Sequence, residues 1–157
     1  MKVATTVNID PEVKLLLDRA AEVTGMSRSE IVVRVMRRAI RDFRRFLRYD
    51  RAVRYQEKNP PVARKKFHLS LIRRDYEYFL DSRKLFKCSV SWLVVFSVYE
   101  YLDEVIKAVL DEKYDKDADN YPFLNYLIMP EMVEDVVCWK IYWGLPRKLN
   151  PQPPSAG

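Results

Sequence analysis

Hydrophobic and polar residues alternate over the first nine positions. Val3, Thr5, Val7 and Ile9 fall on one face, and Lys2, Ala4, Thr6 and Asn8 on the other. A period of two with β-branched residues on one side predicts a strand. Asp10-Pro11-Glu12 then stops the strand and starts a helix, with Asp10 at the N-cap, Pro11 at the first helical position and Glu12 beside the positive helix end. Val13, Leu16, Leu17, Ala20 and Ala21 recur at spacings of three and four, which is one apolar stripe. Gly25 is placed to end this helix as a left-handed C-cap. Ser27 and Glu30 form an S-x-x-E capping box for a second helix, and Met26 precedes the cap where it can staple onto Ile31. That helix has Val32, Val35, Met36, Ala39, Ile40 and Phe43 inward, and Arg34, Arg37, Arg38, Arg41, Arg44 and Arg45 on the opposite face.

The pattern recurs. Shifting the sequence against itself by 62 positions, without a gap, lays Thr5 to Ile9 on Phe67 to Leu71, Ser27 and Ser29 on Ser89 and Ser91, and Val32 and Val33 on Val94 and Val95. The second stretch predicts a strand with Phe67, Leu69 and Leu71 inward and Lys66, His68 and Ser70 outward. A helix over 73–86 follows, carrying Tyr76, Phe79, Leu80 and Arg83. Ser89 then caps a helix over 92–110 with Val94, Val95, Val98, Leu102, Val105 and Val109 inward. This copy departs from the first. Lys87 stands for the glycine, Trp92 for the capping-box glutamate, Val90 for Arg28, and Ile72-Arg73-Arg74 for Asp10-Pro11-Glu12.

Between the copies, an unbroken second helix reaching Lys58 would be long for such a unit. A break is expected near Tyr49-Asp50 and a stop at Asn59-Pro60-Pro61, where proline forbids continuation. Arg44, Arg45, Arg48, Arg51 and Arg54 form a charge run that fits either a solvated face or a flank against DNA. After the second copy, an acidic loop over 111–120 leads into an aromatic-rich segment. There Met129-Pro130-Glu131 predicts a helix start with Met132, Val133, Val136 and Val137 inward. Its aromatic residues suit a core or a patch for a partner protein or self-association. Residues 145–157 are expected to be disordered.

Charge changes the picture when it is divided. Residues 1–90 hold 22 Lys and Arg against 11 Asp and Glu, and the remainder holds 6 against 11. A basic front and an acidic rear point to a nucleic-acid face and a different rear surface. No apolar run approaches the roughly 20 residues of a membrane span, and the first residues have no signal-peptide core, so no membrane partner and a cytoplasmic location are expected. Cys88, Cys138 and the one histidine, His68, match no zinc spacing, and no acid–base or nucleophile constellation stands out. The expectation is no metal, no cofactor and no enzyme activity.

On these residues the stretch TTVNIDPEVKLLLDRAAEVTGMSRSEIVVRVMRRAI resembles the ribbon-helix-helix family of bacterial and phage transcription factors, of the MetJ, Arc and CopG type, over residues 2–41. The resemblance extends in weaker form to the second copy. It implies a mainly helical fold with a two-stranded antiparallel ribbon: a tandem pseudo-dimer with copy 1 over 1–47, an Arg-rich linker over 48–64 and copy 2 over 65–110. A helical extension over 111–144 and the tail complete the expected organisation. It also implies a DNA-binding regulator of transcription, a repressor associated with the nucleoid, whose ribbon enters the major groove of double-stranded DNA. Base contacts would come from Lys2, Ala4, Thr6, Asn8, Lys66, His68 and Ser70. Phosphate contacts would come from the second-helix starts, at Ser27, Arg28, Ser29, Ser89 and Ser91. Two other readings stay open. One is an antitoxin whose C-terminal segment binds a toxin, and the other is an interaction module that has lost DNA binding. Pairing of the copies within a chain or between chains is also open.

Overall fold

The computed structural model describes residues 1–42, 53–111 and 126–143 of the chain. The chain divides into two compact units, 1–122 and 123–157. Unit 1 runs β1 (Lys2–Ile9), α1 (Pro11–Thr24), α2 (Arg28–Arg41), β2 (Lys65–Ile72), α3 (Arg73–Phe86) and α4 (Val90–Leu110). Among the described residues it is therefore mostly helical, with four helices and one two-stranded antiparallel sheet. None of these helices is long and apolar enough to cross a membrane.

The two strands are the edges of one ribbon, and each depends on the other. β1 pairs with β2 antiparallel, from Lys2 opposite Ile72 to Ile9 opposite Lys65. The inner face buries Val7, Ile9, Phe67, Leu69 and Leu71 against the helices. α2 and α4 supply most of the remaining core through Ile31, Val32, Val35, Met36, Leu93, Val94 and Val98, while α1 adds Val13 and Leu17 and α3 adds Phe79. Each such side chain contributes about 1.5–3 kcal/mol by leaving water. A lone two-stranded ribbon is marginal, so neither strand–helix–helix stretch buries this core without the other.

The 62-residue shift survives in three dimensions. Moved by 62, the bounds of α1 become those of α3. Residues 62 apart in the sequence are mates in this arrangement. Only one pair of mates faces itself across the ribbon, Thr6 and His68, and the register is centred there. Two hydrogen bonds follow the same relation. The Ser70 amide donates to Ser29 Oγ at 3.0 Å, and the Asn8 amide donates to Ser91 Oγ at 3.4 Å. Each second helix is thus tied to the strand of the other stretch.

Local chemistry explains the element ends. Pro11 opens α1, but the Asp10 side chain makes no cap. It pairs with Arg64 at 3.3 Å instead. Gly25 closes α1 at φ 71°, as expected. Ser27 accepts the Glu30 amide at 3.2 Å, while the Glu30 carboxylate turns to Arg34 at 3.5 Å rather than back to Ser27, so only half of the capping box forms. Lys87, the mate of Gly25, closes α3 in the same left-handed conformation at φ 49°. Ser89 accepts the Trp92 amide at 3.1 Å and caps α4.

Three expectations require correction here. α2 ends at Arg41, not near Tyr49. The Asp42 amide closes the last turn on Ala39, and the Tyr101 hydroxyl holds the Asp42 carboxylate at 2.9 Å. From 53 to 64 the chain is non-helical, and Arg54 forms a single parallel bridge with Cys88. Second, Arg37 is not on a solvated face. It is buried and paired with buried Asp75 at 2.9 Å.

Third, residues 126–143 of the expected helical extension are not helical. Unit 2 contains a β-hairpin, β3 (Tyr126–Val133) and β4 (Val136–Trp143). Its loop is Glu134-Asp135, both at positive φ, which suits the right-handed twist of the strands. Pro130 is tolerated because every strand of a two-stranded ribbon is an edge. Met132 and Val133 pair with Val137 and Val136, and all four are exposed rather than inward. The arginines at 44, 45, 48 and 51, the residues 112–120 of the expected loop, and the tail 145–157 lie outside the described residues.

Candidate nucleic-acid interface

Strand alternation puts Lys2, Ala4, Thr6 and Asn8 of β1 on the exposed face, and the register sets them beside Lys66, His68 and Ser70 of β2. The structure therefore gathers all seven residues expected on the outer ribbon into one surface. Ile72 joins them opposite Lys2, a position that sequence reasoning missed because it was placed at a helix start. At the centre Thr6 Oγ1 and His68 Nδ1 are hydrogen-bonded at 3.0 Å. The tautomer of His68 decides which group donates.

The helix starts on either side of the ribbon are not alike. At α2, Ser27 caps through Oγ, and Arg28 reaches Asp18 at 3.0 Å with its guanidinium 5.3 Å from the Phe67 ring centre. Lys14 holds the Asp18 carboxyl below its ordinary range; burial opposes this, and Arg28 adds to the lowering. Arg28 is thus exposed but engaged. The hydroxyls of Ser29 and Ser91, expected at phosphates, accept strand amides, which leaves each O–H proton available for an outward acceptor.

At α4 the linker intervenes. The Arg54 carbonyl accepts the Ser89 amide at 2.9 Å, and the Arg54 guanidinium lies 4.8 Å from the Trp92 ring centre and donates to the Phe86 carbonyl at 3.3 Å. Gln56 Nε2 donates to the Asn8 carbonyl at 2.7 Å. Residues 54–56 thus brace the start of α4 and the end of β1. Their position has no signal in hydrophobic period, because it depends on backbone bonds.

The surface can present hydrogen-bond donors and acceptors of mixed type along about eight residues per strand. A two-stranded ribbon has the width that the major groove of DNA admits. Among the described residues, no three His, Cys, Asp or Glu side chains gather in a way that could hold a metal ion. Comparison with protein-family models, with curated proteins and with solved structures finds no match.

Proposed function

We propose that the chain is a sequence-specific regulator of transcription that binds double-stranded DNA as a tandem ribbon-helix-helix pseudo-dimer. The supporting observation is the ribbon itself: seven polar or small residues share its exposed face, and the mates Ser29 and Ser91 tie the two second helices to it. Asn8 has the amide geometry for a bidentate contact with adenine, and Thr6 and His68 stand together at the centre. Because the two strands differ at every pair of mates on that face, the preferred site is non-palindromic.

Selection of bound duplexes from a random pool at about 0.15 M salt, where the Debye length is about 8 Å, tests the proposal. The expected result is one asymmetric motif. Asn8→Ala should relax the preference at one base pair, at a cost of about 1–3 kcal/mol for the preferred base. No enrichment would overturn the reading.

A second reading is favoured by one observation. On the hairpin, Met132 is 66%, Val137 58% and Trp139 49% exposed, and strand parity sets all three on one face. Exposed apolar surface of this kind suits a protein partner, as in an antitoxin. Co-purification of a single stoichiometric partner that is lost in Trp139→Ser would support it.

A further inference from the structure

The two ends of the ribbon can be compared position by position. At one end a cleft of about 460 Å³ opens beside Lys2, Ser27, Arg34, Ser70 and Arg74. Their mates at the other end are Arg64, Ser89, Phe96, Asn8 and Glu12. Arg74 has a carboxylate as its mate, while Arg34 and its partner Glu30 both have apolar mates, Phe96 and Trp92. Arg64 is drawn to Asp10 at 3.3 Å. The cleft at this end is about 280 Å³ and is lined by Asp10, Glu12, Glu57 and the linker prolines Pro60 and Pro61.

The linker adds to the difference. Arg54 takes the Ser89 amide and Gln56 takes the Asn8 carbonyl. Among the described residues, nothing accepts from the amide of Ser27, the mate of Ser89. The first cleft also contains carboxylates, but Asp75 is bound by Arg37 at 2.9 Å and Glu30 by Arg34 at 3.5 Å. Lys65 and Lys66, near the second end, belong to the ribbon and do not line the acidic cleft.

We infer that the protein holds the DNA backbone on one flank only: a phosphodiester group seats in the cleft of Lys2 and Arg74, and the linker-covered acidic cleft takes none. This rests on the DNA-binding reading and gives it a direction. The backbone grip, as well as the bases, then sets the orientation of the protein on its site. Carboxylates facing a phosphate would repel it, whereas Lys2 and Arg74 would release counterions on binding.

Ethylation interference tests this with the full chain and an end-labelled duplex recovered from the random pool. Interfering phosphates should cluster on one side of the base contacts. Lys2→Ala and Arg74→Ala, both at exposed positions, should each abolish interference on that side and lower the slope of log affinity against log salt by about 1. Glu12→Gln should change neither the pattern nor the slope. Interference on both sides with binding intact overturns the one-flank inference and leaves the DNA reading standing. So does an unchanged slope in both alanine variants. Absence of binding to any duplex overturns both.

Discussion

At one end of the helical layer a buried arginine meets a buried aspartate, Arg37 and Asp75. At the other end the same two positions hold Tyr99 and Val13. The tyrosine hydroxyl there reaches outward to Glu12 at 3.2 Å, while Val13 is fully buried. The contrast says which copies suit one another. If two first copies paired, Arg37 would face Val13. If two second copies paired, Asp75 would face Tyr99. Either arrangement strands a buried charge, which is among the costlier faults a core can have. The ion pair contributes little net stability as a pair, but it penalises like-with-like association, which is how specificity is often built.

The largest expected effect breaks this contrast directly. Asp75→Ala leaves the Arg37 charge without its carboxylate and should cost about 3–5 kcal/mol. Glu12→Ala, at the exposed counterpart, should stay within about 0.5 kcal/mol. Urea unfolding of both variants decides it, and equal losses would dismiss the comparison. Replacing the pair by what the other end carries, Arg37→Tyr with Asp75→Val, should recover most of the loss, because apolar replacements of buried ion pairs are often neutral or better. The same double variant should form mixed assemblies at high concentration, visible by light scattering.

Alkaline stability is the next effect and comes from the second copy alone. Burial pushes the Cys88 thiol up to about 11 and the Tyr78 hydroxyl up to about 12. Their mates, Met26 and Leu16, do not titrate. A buried acid with a raised folded value stabilises fully below its unfolded value, and this stability is lost as pH rises through the folded one. The urea midpoint should therefore fall from about pH 9, where the thiol begins to ionise in the unfolded chain, to about pH 12. Tyr78→Phe should remove the upper part of that fall. A midpoint flat up to pH 12 would contradict the burial of both groups.

The smallest effect concerns the caps. Gly25 and Lys87 share a left-handed backbone, but only glycine holds it without strain. Gly25→Ala should cost about 1 kcal/mol, and the cost is one of backbone alone because a Cβ there meets nothing within 4 Å. Lys87→Gly should return up to about 1 kcal/mol, reduced by the added freedom of the unfolded chain. Paired thermal melts read both changes.

Much of unit 1 was legible because its signals are local. Alternation marks β1 and β2, proline and serine mark the starts of α1, α2 and α4, and the 62-residue shift transfers both helix starts to the weaker copy, though not the end of α2. The ribbon face follows from parity alone, so its residues could be named before the register was seen. Arg37 was not legible, because its partner Asp75 lies beyond the linker, and an arginine in a row of arginines reads as solvated. The early end of α2 depends on Tyr101, another distant residue. The hairpin failed for a different reason. Positions 132, 133, 136 and 137 have helical spacing, yet the same numbers are the two innermost cross-strand pairs of a two-residue turn. Glu134-Asp135 lacks the asparagine or glycine that usually announces one.

Thr6 and His68 are the mates that face each other across the ribbon, and they are not the same residue. In an assembly of identical chains, any substitution on such a face is made twice, so its consequences arrive doubled and in step. Here each of the eight outward positions is written once in the gene. A single codon change alters one letter of the surface and leaves its counterpart as it was. A chain built this way can change its outer face in half-sized steps.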